Sequence, residues 1–128
     1  MIADYCFKQF SEPKRNMIDA EKYCVNLGGH LASFASEAEW NIIKGHMDSS
    51  NADKIWIGLM DYEDYPAFTD DSPVTYHPPT GPKQYLEQCF RYIKLNTILD
   101  IWCGIKYSFV CKIPSYLSGI TACSTVFI

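Results

Sequence analysis

The sequence predicts an α+β domain stapled by disulfides, with two helices packed on strands beside one long irregular loop. Three observations carry that prediction. Two segments repeat apolar residues at intervals of three and four behind a helix cap. "KIWIGLMD" reads as a buried strand. Six cysteines are spread through only 128 residues.

"DYCFKQF" alternates well enough for a short strand. Asn16 then caps a helix over "MIDAEKYCVNL", whose stripe is Met17, Ala20, Tyr23, Cys24 and Leu27. Gly28 and Gly29 stop it, as C-terminal glycines do. "HLASF" is strand-like. Ser36 opens a second helix as a capping box, S-E-A-E, in which Glu39 is expected to reach back to the cap. Trp40, Ile43 and Met47 form its apolar face, and "DSSNAD" ends it. Beyond "KIWIGLMD", Tyr62 to Pro82 is rich in Pro, Asp and Tyr and is expected to hold little regular structure. Loops of that length inside compact domains are commonly functional. "CFRYIKL" and "YSFVCKI" return to strand-like alternation.

Composition excludes several classes. With 48% hydrophobic and 15% aromatic residues the chain can build one real core, and disorder is disfavoured. A net charge of −4 lacks the basic footprint of a nucleic-acid binder. Cys6, Cys24, Cys89, Cys103, Cys111 and Cys123 include no C-x-x-C pair, so they fit a disulfide framework in an oxidising compartment better than a zinc site. Fifteen pairings are open on spacing alone. No signal peptide, transmembrane run or N-x-S/T sequon is visible. A secreted protein lacking its signal and carrying an added Met1 would look like this.

The segments "DAEKYCVNLGGHLASFASEAEW", "IWIGL", "FTDDSPVTY", the pair Cys89 and Cys103, and "FVCK" together resemble the C-type lectin-like domain. The resemblance spans about residues 4 to 113, leaving 114 to 128 as a tail of a single domain covering 1 to 128. It implies two helices on small antiparallel sheets with a long irregular loop. It also implies the disulfides Cys24–Cys111 and Cys89–Cys103. Since the chain ends run side by side in that fold, an intramolecular Cys6–Cys123 bridge is expected. A free or intermolecular Cys123, which the apolar tail "STVFI" would suit, is the alternative.

Calcium- and sugar-binding members of that family carry Glu-Pro-Asn or Gln-Pro-Asp in the long loop, an acid before the third core cysteine, and Trp-Asn-Asp before the fourth. Here Gly81-Pro82-Lys83 keeps only the proline, Glu87 retains the acid, and Ile98-Leu99-Asp100 keeps only the aspartate. Calcium takes six to eight oxygen ligands, so the resemblance does not bring the metal site with it. No cofactor is expected. Lys83 could neutralise Glu87 and Asp100 where the ion would sit, or all three are solvated surface charges. Asp61, Glu63, Asp64, Asp70 and Asp71 could hold an accessory calcium, or are simply solvated. His30 belongs to the "GGHLAS" turn.

The long loop carries aromatics among prolines. Tyrosine offers a large contact area at small entropy cost, and proline reduces the cost of ordering a loop. Phe68 and Tyr76 occupy family packing positions. Tyr62, Tyr65, His77 and Tyr85 remain as contacts, together with Lys83, Glu87 and Asp100. The expected function is a secreted, non-catalytic module binding an extracellular protein, or a glycan without calcium. Nucleic acid is not expected as a partner, and membrane association is expected only within a larger anchored protein. The alternatives are a structural or surface-adsorbing protein (matrix, mineral or ice) and a calcium-dependent lectin with a non-standard site. No G-x-S-x-G, H-E-x-x-H or Gly-rich phosphate loop suggests an enzyme.

Overall fold

The computed structural model describes residues 5–62, 65–80, 89–114 and 124–126. The elements are β1 (Tyr5–Arg15), α1 (Met17–Asn26), β2 (His30–Leu31), α2 (Glu37–Asp48), β3 (Lys54–Tyr62), β4 (Tyr65–Phe68), β5 (Cys89–Ile93), β6 (Ile98–Ile101), β7 (Tyr107–Pro114) and β8 (Ser124–Val126). Strand pairing follows the order β6-β5-β3-β7-β1-β8, with β2 on β7 and β4 on β3. Among the described strands, pairing is antiparallel except for β3 with β7, where Ile55 faces Ser108 and Trp56 faces Phe109 in parallel, and an isolated parallel bridge joins Thr80 to Ile98.

That parallel contact explains the apolar run in β3. The strand lies between β5 and β7 and is covered on both faces, as parallel strands usually are. Ile55, Ile57 and Leu59 pack with Trp40, Ile43 and Met47 of α2 and with Phe34, Phe68 and Tyr92. Trp56 points the other way, among Met17, Cys24, Phe109 and Cys111. Its indole Nε1 donates to the carbonyls of Arg15 (3.0 Å) and Ile105 (3.2 Å). Truncating any of these isoleucines to alanine would cost about 2–5 kcal/mol. Gly58 has to be small, since a Cβ there would stand 2.7 Å from the Leu31 carbonyl oxygen.

Both helices start where the sequence places them. The Asn16 side chain accepts from Asp19 N at 2.8 Å. At the other end of α1, Gly28 takes a φ of 92°, and Gly28 N and Gly29 N donate to Val25 O and Cys24 O. This is a Schellman ending, for which glycine suffers no Cβ clash. Ser36 Oγ accepts from Glu39 N at 3.2 Å. The second half of the expected capping box is corrected, however. The Glu39 carboxylate is buried and takes Lys112 Nζ of β7 at 3.2 Å instead. An ion pair out of water outweighs an exposed cap contact once a lysine is available across the core.

One further expectation changes. The segment after Tyr62 is not wholly irregular, because β4 pairs with the end of β3 from Leu59↔Phe68 to Tyr62↔Tyr65. Among the described strands β4 pairs with β3 alone, an edge position of the kind that tolerates Pro66. The C-terminal tail contributes β8, which pairs with the start of β1, Cys6 facing Thr125. Disulfides join Cys24 to Cys111, tying α1 to β7, and Cys89 to Cys103. Cys6 is also disulfide-bonded. The other partner of the expected Cys6–Cys123 bridge lies outside the described residues.

Candidate recognition surface

One continuous row of backbone pairs crosses the sheet: Ala67 with Met60, Met60 with Cys89, and Cys89 with Ile101. Tyr62 and Tyr65 lie two residues beyond that row, facing each other across the β3–β4 hairpin. Trp102 lies one residue beyond it, directly after β6. Among the described residues, two large aromatics are exposed here, Tyr65 at 76% and Trp102 at 60%. The other two tryptophans, Trp40 and Trp56, are buried.

Trp102 is held rather than dangling. Ile101 fixes it on one side through the β5–β6 ladder, and Cys103 on the other through its bond to Cys89. The Cys103 carbonyl also accepts from Met17 N at 3.1 Å, so the start of α1 braces the same turn. The ring lies over Gly104, where a Cβ would meet its six-membered ring at 2.7 Å. An exposed aromatic with a restrained backbone loses little entropy on being covered. Sequence reasoning missed it. The available signal was a tryptophan in "DIWCG", inside a disulfide-closed turn and followed by glycine.

Of the seven residues expected to contact ligand, Tyr62, Tyr65, His77 and Asp100 lie among the described residues. Tyr65 is exposed, as a contact residue must be, and the backbone of Tyr62 pairs with it. His77 lies edge-on to Phe90 at 6.3 Å between ring centroids, and its Nδ1 bonds the Pro78 carbonyl at 2.8 Å. Asp100 is only 1% exposed, so the reading of it as a solvated surface charge is corrected. Its backbone carbonyl accepts from Arg91 Nη1 at 3.1 Å. Lys83, Tyr85 and Glu87 lie outside the described residues. Phe68 is buried and Tyr76 packs against the same core cluster.

Of the second acidic group, Asp61, Asp70 and Asp71 lie among the described residues. Asp70 Oδ2 accepts from Ser33 Oγ at 2.5 Å, and Oδ1 accepts from Ser72 N and Ser72 Oγ. Burial pushes this carboxyl up, but those hydrogen bonds and the Lys112 charge outweigh it and hold it below the ordinary range. Asp70 therefore staples the loop to the segment after β2. Asp71 occupies a turn at φ 64°, Asp61 is in β3, and Glu63 and Asp64 lie outside the described residues. His30 bonds Glu21 Oε2 through Nδ1 at 2.6 Å, while Glu21 Oε1 accepts from Leu31 N.

Residues 13–113 match the model of the lectin C-type domain family. The chain belongs to this family. Snaclec A14 of Macrovipera lebetinus is 38% identical, over 87% of this chain and 77% of its own length. The alpha subunit of snaclec bothroinsularin from Bothrops insularis is 33% identical, over 86% of this chain and 90% of its own length. A calcium-independent type II antifreeze protein shares the fold at a TM-score of 0.73 and 26% identity, over 87% of each chain. The family fold accounts for the two helices, the mixed ladder and both described disulfide pairs.

Proposed function

We propose that this chain is a secreted, non-catalytic recognition module that binds an extracellular protein through the surface carrying Tyr65 and Trp102, without calcium. The observation that carries the reading is the exposure of these two aromatics beyond one row of the sheet. Tryptophan and tyrosine dominate protein hot spots because they bury large areas with few torsions to freeze. One relative is itself a subunit of a larger protein, so a companion polypeptide is the first class of partner to test. Calcium independence is supported by the residue types at Gly81, Lys83 and Leu99, which supply no carboxylate or amide side chain, and by a relative described as calcium-independent.

The test is capture of extracellular proteins by the oxidised domain, with and without chelator, followed by titration of the partner obtained. Tyr65→Ala and Trp102→Ala should each weaken binding by about 2 kcal/mol, roughly thirtyfold. Unchanged affinity in both variants would move the contact surface elsewhere. Loss of capture in chelator would overturn calcium independence.

A further inference from the structure

The start of β3 opens onto a concavity of about 460 Å³. Three lysines from separate parts of the chain line it: Lys14 near the end of β1, Lys54 at the first position of β3, and Lys106 just before β7. Glu12, Asp53 and Tyr107 line it as well. Among the described residues, no carboxylate stands within ion-pair distance of any of the three ammonium groups. All three lysines are exposed. The cavity thus carries three cations against two carboxylates, on a chain whose net charge is −4.

We propose that this cavity is a binding site for an acidic sugar, one bearing sulfate or carboxylate groups, separate from the Tyr65–Trp102 surface. The volume falls within the range of ordinary ligand clefts. Lysine ammonium groups bind such anions as point charges, and three of them on separate segments can meet acidic groups on one ring or on two neighbouring rings. Glu12 and Asp53 give the mixture its meaning. A densely acidic peptide would be repelled by them, whereas a sugar presents hydroxyl donors to carboxylates and anionic groups to lysines. The Asn51 side chain, also on the wall, can both donate to and accept from hydroxyls. Tyr107 completes the wall between Lys106 and Ser108. Its ring is half-buried and braced by Trp56 at 5.1 Å and by the Arg91 guanidinium at 5.8 Å.

The site lies roughly 25 Å along β3 from the hairpin tyrosines, so its failure leaves the protein-binding reading untouched. The experiment is an NMR titration of the whole chain with a trisulfated heparin disaccharide, its unsulfated counterpart, inorganic sulfate and a glutamate-rich peptide. The trisulfated disaccharide should shift the amides of residues 51–54 and 106–108, with a Kd that rises several-fold from 50 to 200 mM salt. Lys54→Ala with Lys106→Ala should weaken it at least tenfold. Lys8→Ala with Lys22→Ala, which removes the same charge elsewhere, should change it less than twofold. Equal losses in the two double variants would reduce the effect to net charge and overturn the site. Equal binding of free sulfate would overturn the sugar assignment, and tighter binding of the peptide would overturn the glycan class. No shift at these amides with the disaccharide would dismiss the proposal outright.

Discussion

The two ends of β3 solve the problem of presenting a surface in different ways. Its C-terminal end leads to an aromatic surface fixed by covalent chemistry, with Trp102 held between a ladder residue and the Cys89–Cys103 bond. Its N-terminal end opens onto a charged cavity without a disulfide among its lining residues. Near the same end of the strand, outside the cavity wall, Lys94 Nζ donates to Ser50 O, Lys94 N to Asp53 O, and Asp48 gathers three donors. Aromatic contacts depend on shape and resist salt, while exposed lysines act through a field that salt screens within about 10 Å at 0.1 M. The first end suits a protein partner, and the second an ionic ligand held weakly.

Removing the disulfide tests this contrast with the largest effect. Cys89→Ala with Cys103→Ala opens a loop with a sequence separation of 14 and should cost about 3 kcal/mol in denaturant unfolding. The variant should lose affinity for a protein partner because Trp102 is no longer restrained, yet keep disaccharide binding at the lysine cavity. Equal damage at both ends would show that the frame transmits strain from one to the other.

The matching test at the charged end is Asp48→Ala. This carboxylate accepts from Tyr92 OH at 2.5 Å, Leu95 N at 2.8 Å and Lys44 Nζ at 3.0 Å. Leu95 is at φ 61°, so its turn depends on the bond its amide makes. Leaving a phenol and that amide without their acceptor should cost about 2 kcal/mol. Amide exchange should quicken at Leu95 while the Tyr65–Trp102 surface is unchanged. Unaltered stability would mean that water replaces the carboxylate without loss.

Acid should act on both stapling carboxylates. Burial raises Asp48 and Asp70, but hydrogen bonds overcome it and leave each below the ordinary value of 3.8. The folded state therefore binds these protons less readily than the unfolded chain. Their contribution is complete above about pH 5 and fades as pH falls through the depressed folded values. Asp70→Asn should flatten the acid limb of a stability–pH curve measured from about pH 6 to pH 2. An unchanged slope would assign the acid response to other carboxylates.

Much of this frame is legible in sequence because its signals are local. Asn16 and Ser36 cap helices that begin at Met17 and Glu37, and Gly28 ends α1 where only a residue tolerant of positive φ fits. What escaped was set by distant partners. Glu39 reads as a capping-box acid until Lys112, 73 residues away, claims it. "YPAF" carries a proline that argues against a strand, and its edge position among the described strands makes it acceptable. The exposure of Trp102 depends on what packs around it, and tryptophan is an ordinary core residue. The three lysines of the cavity are separated by 40 and 52 positions in sequence, and only the parallel contact of β3 with β7 brings Lys54 beside Lys106.

The smallest expected effect concerns calcium and sharpens the contrast most. A cation beside Asp100 would put a strong charge at the end of the molecule that carries Tyr65 and Trp102. Three positions where the family resemblance places oxygen donors are Gly81, Lys83 and Leu99, and Leu99 is a half-buried hydrocarbon in β6. A ligand at about 100 times its Kd stabilises a native state by about 2.7 kcal/mol, which in a domain of this size is roughly 10 °C of melting temperature. The shift between millimolar calcium and excess chelator should instead be below about 1 °C. Asp100→Ala decides the cause of any larger rise. If that variant loses the rise, calcium binds at the family position and the aromatic surface is rebuilt around a metal. If the rise persists, the ion belongs to the acids around Asp61, in the same β3–β4 hairpin that carries Tyr65.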